Sequence, residues 1–339
     1  MRRGADERPG RPHVVVFSSG RSGSNRLLDL FDQHERTNCR NEIDSDDPVI
    51  NAIKGWDAAA EAPEALAARW QDAVRRAALR KGRRDRYDLG HKAWLRPGLA
   101  PVWAAVYRRR RLRRPLAGRG GRDWPVPGLV LRADAARSVL PVLKISRPPE
   151  PFLALHRADP ALILVHNLRE PRGYLRSWYN RLVLRAPEGP EGVYATLRAR
   201  LAPRLAGLGR PPLPEAFSLQ ALLVAELWQW RLNNEPLAAG LAGAPRYLQV
   251  SYDRVSGAPV ETARRLYAHA GLDFTAAHAA RVEGLRNTLF PRPHRAALAP
   301  DLVEAALAEV LEDGPLARLF PPAGPEAVAA GAPPAEARA

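Results

Sequence analysis

Residues 13–34, HVVVFSSGRSGSNRLLDLFDQH, join a β-branched run to an amphipathic one through a loop built almost wholly of serine and glycine. His13 to Ser19 reads as a short buried strand. Asn25 to His34 carries Leu27, Leu28, Leu30 and Phe31 at helical spacing. The order strand, tight loop, helix constrains the chain more than any other feature, because it is the opening unit of a parallel sheet whose crossovers are helices.

The rest of the sequence repeats that alternation. Residues 57–80 predict an alanine-rich helix or two, broken near Pro63, and Pro101 to Arg114 another that ends in a dense basic run. Pro115 to Gly128, rich in glycine and proline, predicts a loop insertion. Pro141 to Ser146 (PVLKIS) and Ala161 to Leu168 (ALILVHNL) are apolar runs too short for helices and predict buried strands. Pro171 to Leu184 returns to helical spacing. Ser218 to Glu235 predicts a helix capped by Ser218 and stopped by Pro236. Tyr247 to Tyr252 predicts a strand, and Pro259 to Ala270 a helix with proline in its first turn and Gly271 at its end. The fold class is therefore α/β, a three-layer P-loop-like arrangement with a central parallel sheet flanked by helices. One domain is expected over residues 13–320, after a polar leader at 1–12 and before a disordered Ala/Pro-rich tail at 321–339.

At 339 residues and 46% hydrophobic content the chain can bury a full core. It has neither the roughly 18 consecutive apolar residues of a membrane span nor the apolar centre of a secretory signal. A single cysteine, Cys39, rules out an intramolecular disulfide and cysteine-based metal clusters. A cytoplasmic protein is expected. The net charge of +16 points to a polyanionic partner or membrane surface, but only Lys54, Lys81, Lys92 and Lys144 among the 52 basic residues are lysines. So arginine-heavy a composition reflects a GC-rich coding sequence as well as function.

In Ser18 to Asn25 (SSGRSGSN), successive backbone N–H groups and the positive end of a helix dipole converge, which is how a fold binds an anion. Gly20 and Gly23 permit close approach, Ser22 and Ser24 add hydroxyls, and Arg21 brings a planar cation. The loop is not a Walker A motif: Gly23 is followed by Ser24, and no lysine is present, which argues against an Mg-ATP kinase. Val15 to His34 resembles the 5′-phosphosulfate-binding loop of the PAPS-dependent sulfotransferases, most closely the carbohydrate branch, where arginine is followed by Ser-Gly-Ser. The resemblance implies that Arg21, Ser22, Gly23, Ser24 and Asn25 hold the 5′-phosphosulfate of 3′-phosphoadenosine 5′-phosphosulfate (PAPS). Asn25 departs from it, since the family usually places Ser or Thr there.

A second motif, Arg169-Glu170-Pro171-Arg172 followed by Ser177, lies at the carboxyl end of the strand predicted at 161–168, where parallel sheets bind ligands. It resembles the same family's 3′-phosphate site and implies that Arg169 and Ser177 bind that phosphate, Arg172 being closer to a structural role. Tyr247 to Val255, followed by Pro259 and a helix ending at Gly271-Leu272, resembles a later family segment and implies an adenine contact for Tyr252. Sulfuryl transfer needs in-line geometry, cations near the leaving oxygen and a base for the acceptor hydroxyl. Arg21 is the expected cation. For the base, the resemblance implies Glu42, with His91 of Gly90-His91-Lys92 as the rival and Lys92 as a possible aid at the sulfonate.

Other features stay open at this level. Asp44, Asp46 and Asp47 lack EF-hand spacing and predict a polar turn. Arg108 to Arg114 (RRRRLRR) predicts a solvated helix end that could also grip an acidic glycan, nucleic acid or lipid head groups. Trp228 and Trp230 could stack on sugar faces, but at least one is expected in the core, and His166 is assigned to packing. The expectation is a sulfotransferase using PAPS, with PAP as product and no metal requirement. The acceptor is a hydroxyl of a glycan or glycolipid, no nucleic acid is bound, and peripheral membrane contact is allowed. A small-alcohol or phenol sulfotransferase, a P-loop nucleotide kinase and a basic nucleic-acid-binding protein are the alternatives.

Overall fold

The computed structural model describes residues 10–20, 22–43, 48–82, 85, 89–112, 123–146, 148–285 and 298–321, of which 108–112, 123 and 124 are described by backbone alone. In chain order these form β1 (His13–Ser18), α1 (Ser24–Asp32), β2 (Thr37–Arg40), α2 (Pro48–Ile53), α3 (Pro63–Ala77), β3 (Arg80–Gly82), α4 (Leu99–Leu112), β4 (Asp123–Pro125), α5 (Ala135–Ser138) and β5 (Leu140–Ile145). There follow α6 (Glu150–Ala158), β6 (Leu162–Leu168), α7 (Pro171–Arg181), α8 (Gly189–Gly207), α9 (Leu219–Gly240), β7 (Tyr247–Ser251), α10 (Tyr252–Gly257), α11 (Pro259–His269), α12 (Ala276–Gly284), α13 (Pro300–Val310) and α14 (Gly314–Leu319). The fold is α/β, with the central parallel sheet that the alternation predicts. None of the described helices is long and apolar enough to cross a membrane.

The described residues divide into two compact units, one from 1–167 with 243–290, the other from 168–242 with 291–339. The first holds a five-stranded sheet ordered β2-β5-β1-β6-β7, in which β1 pairs in parallel with β5 and β6, and β2 with β5. The period-2 alternation of a strand assigns its two faces. Val14 and Val16 pack with Leu27, Leu30 and Phe31 of α1 and with Leu266 and Tyr267 of α11. On the other face Phe17 meets Phe152 of α6, and Trp70 of α3 meets both Phe152 and His13. Covered on both faces, β1 has no exposed side chain, which is why its sequence is a continuous apolar run. Each such Val or Phe contributes about 1.5–3 kcal/mol by leaving water.

A smaller antiparallel pair joins β3 to β4, with Lys81 opposite Trp124. This corrects one expectation: Asp123–Pro125 is a strand inside the segment 115–128 read as a loop, and residues 115–122 lie outside the described set. The tail beyond Pro321 also lies outside it.

In the second unit, α9 buries Leu222, Leu223, Leu227 and Trp230 against a core that includes Leu197 and Leu201 of α8 and Val303 and Leu307 of α13. Its start is as predicted, the Ser218 hydroxyl accepting from the Ala221 N–H at 3.0 Å. Its end is not. Pro236 lies inside the helix, which continues to Gly240. A proline supplies no N–H for the carbonyl four residues back, and here that carbonyl, Leu232 O, accepts from Arg204 Nη2 at 3.3 Å instead. Trp228 and Trp230 are both buried, and Trp228 is flanked by the guanidinium groups of Arg210 and Arg231 at 5.5 and 5.3 Å. His166 packs on Phe17 and reaches the Tyr247 hydroxyl at 2.8 Å, a core residue as expected.

Candidate functional site

The connection from β1 leads through α1 to β2 on one side, whereas β5 crosses over to β6 on the other. β1 is thus the topological switch point, and a crevice opens beyond its carboxyl end in sheets of this kind. The loop 19–23 stands there. It is tied down from three directions: Ser18 Oγ donates to Ser24 Oγ at 2.9 Å, Arg26 N to Gly23 O at 2.9 Å, and Asn167 Nδ2 at the end of β6 to Ser22 O at 2.9 Å. Gly23 caps α1 with φ 81°, in the left-handed region, and a Cβ at this position would run into the ring of Tyr252. Both constraints select glycine. Tyr252, the first residue of α10, is therefore the wall behind the loop, and Arg26 lies over its ring at 5.4 Å.

Three polar atoms around this loop, Ser19 Oγ, Ser22 Oγ and Asn167 Oδ1, are buried and have no partner among the described residues. Each such atom costs about 1–3 kcal/mol unless something else satisfies it. The first N–H groups of α1 also lack helical acceptors by construction. Hydroxyl donors, amide donors and a helix dipole around one point suit an oxyanion such as phosphate or sulfate. Arg21 lies outside the described residues.

A cation approaches the same place from β5. Lys144 is buried, and its Nζ lies 2.8 Å from Asn25 Oδ1, 3.0 Å from Asn41 Oδ1 and 3.4 Å from Glu42 Oε1. Parallel register sets Lys144 beside Val16, on the α1 face of the sheet. Sequence reasoning did not assign this lysine to the site. Its signal was a single charge inside the apolar run PVLKIS, as Asn167 was a lone amide at the end of LILVHNL.

Glu42 follows β2 in a left-handed conformation, φ 51°, with its carboxylate 39% exposed. The two residues before it are held by Asp85, which is buried. Asp85 accepts from Arg40 Nε at 2.7 Å, from Asn41 N at 2.7 Å and from Gly82 N at 2.5 Å. His91 and Lys92 stand elsewhere. His91 Nε2 is 2.8 Å from Asp32 O, and Lys92 Nζ lies 2.6 Å from Asp32 O, 3.0 Å from His34 O and 3.1 Å from Asp32 Oδ1. They serve the carboxyl end of α1, where a cation complements the helix dipole. Nine residues of helix separate that end from the loop, about 13 Å at 1.5 Å per residue. Burial opposes ionisation of Asp32, yet Lys92 overrides it and holds the carboxyl below its ordinary range. Cys39 is buried, and burial pushes its thiol far up, away from any nucleophilic role.

In the second unit Arg169 precedes Glu170, whose Oε2 caps α7 by accepting from Gly173 N at 2.8 Å. Ser177 is buried two turns into that helix. Arg172 is structural: it bridges Glu304 at 2.5 and 2.7 Å and Glu170 at 2.9 Å. Among the described residues, His34, Asp273 and His278 have side-chain ligand atoms within 4.8 Å of one another. Each imidazole Nδ1 accepts a backbone N–H, from Arg36 at 3.1 Å and from Thr275 at 3.0 Å. In the neutral rings the proton therefore sits on Nε2, facing Asp273 at 3.2 Å and Glu35 at 2.7 Å, which suits hydrogen bonding rather than metal ligation. Asp44, Asp46 and Asp47 lie outside the described residues.

No protein-family model matches the chain, and no curated protein matches it. Similar solved structures include the sulfotransferase STF9 from Mycobacterium avium, 16% identical, covering 91% of this chain and 77% of that one with a TM-score of 0.38. The sulfotransferase domain of the Synechococcus PCC 7002 olefin synthase is 16% identical, covering 91% and 97% with a TM-score of 0.37. Mouse sulfotransferase SULT7A1 complexed with PAP is 9% identical, covering 91% and 87% with a TM-score of 0.38.

Proposed function

We propose that this chain is a PAPS-dependent sulfotransferase that moves a sulfuryl group to a hydroxyl of a carbohydrate or glycolipid. The observation that carries the proposal is the loop at the carboxyl end of β1. There two buried serine hydroxyls have no partner among the described residues, and Lys144 reaches the first turn of α1 through Asn25. In this reading the loop, with Arg21, holds the 5′-phosphosulfate. The sequence pattern assigns the 3′-phosphate to Arg169 and Ser177, and the carbohydrate-type Arg-Ser-Gly-Ser string supports a sugar hydroxyl as acceptor.

The acceptor oxygen attacks sulfur while the bond from sulfur to the 5′-phosphate oxygen breaks, its electron pair going to that oxygen and leaving PAP. The acceptor proton passes to Glu42, whose carboxylate stands beside Lys144. Charge grows on the departing oxygen, so the loop amides, Arg21 and Lys144 bind the transition state more strongly than the ground state.

The test is a thermal-shift series with PAP, ATP plus Mg²⁺ and a short DNA duplex, followed by sulfuryl-transfer assays on glycan and small-phenol acceptors. PAP at about 100 times its Kd adds roughly 2.7 kcal/mol of stability. Arg21→Ala and Ser22→Ala should remove that gain, and Arg169→Ala should weaken PAP more than adenosine 5′-phosphosulfate, which lacks the 3′-phosphate. Stabilisation by ATP plus Mg²⁺ but not PAP would refute the proposal, and transfer to phenols alone would refute its acceptor.

A further inference from the structure

Asn167 differs in kind from the other polar groups around the loop. It stands at the carboxyl end of β6 in register with Ser18, whose hydroxyl reaches the first residue of α1, and it is fully buried. Its amide has one sensible orientation: Nδ2 donates to Ser22 O at 2.9 Å, and turning the group over would set Oδ1 against that carbonyl oxygen. Oδ1 is therefore held at the loop, buried and with no partner among the described residues. Ser19 Oγ and Ser22 Oγ are left in the same condition, but a hydroxyl has a hydrogen to give and suits an oxyanion. An amide oxygen only accepts. An ionised phosphate or sulfate has no hydrogen for it, so the cradle contains one atom that the anion itself does not satisfy.

With its phosphates ionised, PAP offers two kinds of hydrogen-bond donor, the ribose 2′-hydroxyl and the adenine amino group. A 5′-phosphate anchored in the loop leaves the ribose next along the ligand and the amino group at the far edge of the base. The 2′-hydroxyl also neighbours the 3′-phosphate, and Arg169, to which the sequence pattern assigns that phosphate, follows Asn167 by two positions in the chain. We infer that Asn167 determines sugar specificity: its Nδ2 holds the loop through Ser22 O while its Oδ1 accepts the ribose 2′-hydroxyl. The inference rests on the proposal that the loop holds PAPS. A buried acceptor matched to a hydroxyl rejects the analogue without one, because it is then left unpaired.

The test is isothermal titration of the full chain with PAP and with 2′-deoxyadenosine 3′,5′-bisphosphate, which differ only in that hydroxyl. Wild type should bind the deoxy ligand about three- to ten-fold more weakly, the range of one neutral hydrogen bond. Asn167→Leu should weaken both ligands, because Ser22 O loses its donor, and bring the two affinities together. Lys144→Met leaves Asn167 and the loop carbonyl in place and should keep the preference. Equal affinities in wild type would overturn the inference whether or not Asn167→Leu folds, and so would a deoxy penalty that persists in that variant. Failure of wild type to bind either nucleotide would remove the sulfotransferase proposal and this inference with it, whereas PAP binding without preference would remove the inference alone.

Discussion

Glu42 offers the sharpest experiment, because its chemistry and its backbone pull stability in opposite directions. At φ 51° a non-glycine residue costs about 1–2 kcal/mol relative to ordinary backbone. The 3.4 Å pair with Lys144 returns little, since a carboxylate that is 39% exposed is screened and such pairs contribute a few tenths of a kcal/mol. Glu42→Gly removes the strain and the pair, and adds about 0.5–1 kcal/mol of chain entropy to be lost on folding. The balance is a protein as stable as the original or about 1 kcal/mol more stable. Glu42→Gln keeps the strain but cannot take a proton. If Glu42 is the base, both variants should transfer about 10²–10⁴ times more slowly with PAP affinity nearly constant. Urea melts, single-turnover sulfuryl transfer and PAP titration read the three quantities separately. Turnover of Glu42→Gln within about three-fold of wild type would refute the assignment.

Gly23→Ala should abolish PAP binding and cost about 1–3 kcal/mol, since it forces a Cβ into Tyr252 at a left-handed position; Gly23→Ala with Tyr252→Ala should recover part of the stability, and wild-type binding by the single variant would dismiss the cradle. Lys144→Met keeps the bulk but withdraws the cation from Asn25 and Asn41, so kcat should fall more than PAP affinity; a pure affinity loss would make Lys144 a binding group only. Burial holds the His34 imidazole below its ordinary value of 6.5, so the unfolded chain binds this proton first on acidification. Stability should therefore fall as pH drops through about 6.5 and level off below the folded value, and a urea midpoint that stays flat across that window would contradict the burial of a neutral ring.

What the sequence reveals follows from how far each residue's partners lie along the chain. β1, β5 and β6 are legible because strands covered on both faces must be apolar throughout, and α1 because its apolar side repeats at helical spacing. β2 is the sheet's edge beyond β5 and reads TNCR, with no apolar run at all. It is tied down by partners 40–45 positions away: Asn38 Nδ2 donates to Ala78 O and Arg80 O, and Arg40 to Asp85. No local pattern encodes such a strand. Pro236 misleads for the same reason, since the side chain that satisfies Leu232 O comes from α8.

The site shows the same division. The strand, loop and helix order was legible, the lysine beside the loop was not, and Asn25 connects the two. The resembled family places a hydroxyl residue where this chain has Asn25, and the loop carries no lysine. Lys144 accounts for the departure at Asn25. A lysine on β5, paired in register with Val16, reaches the first turn of α1 from 119 positions away, and Asn25 Oδ1 accepts it at 2.8 Å. An amide has separate acceptor and donor atoms, so Oδ1 can hold the ammonium while the Nδ2 protons remain for an anion; a hydroxyl would have to serve both through one oxygen. The amide at 25 and the lysine at 144 therefore form one device, and replacing either alone should disturb the position of the other.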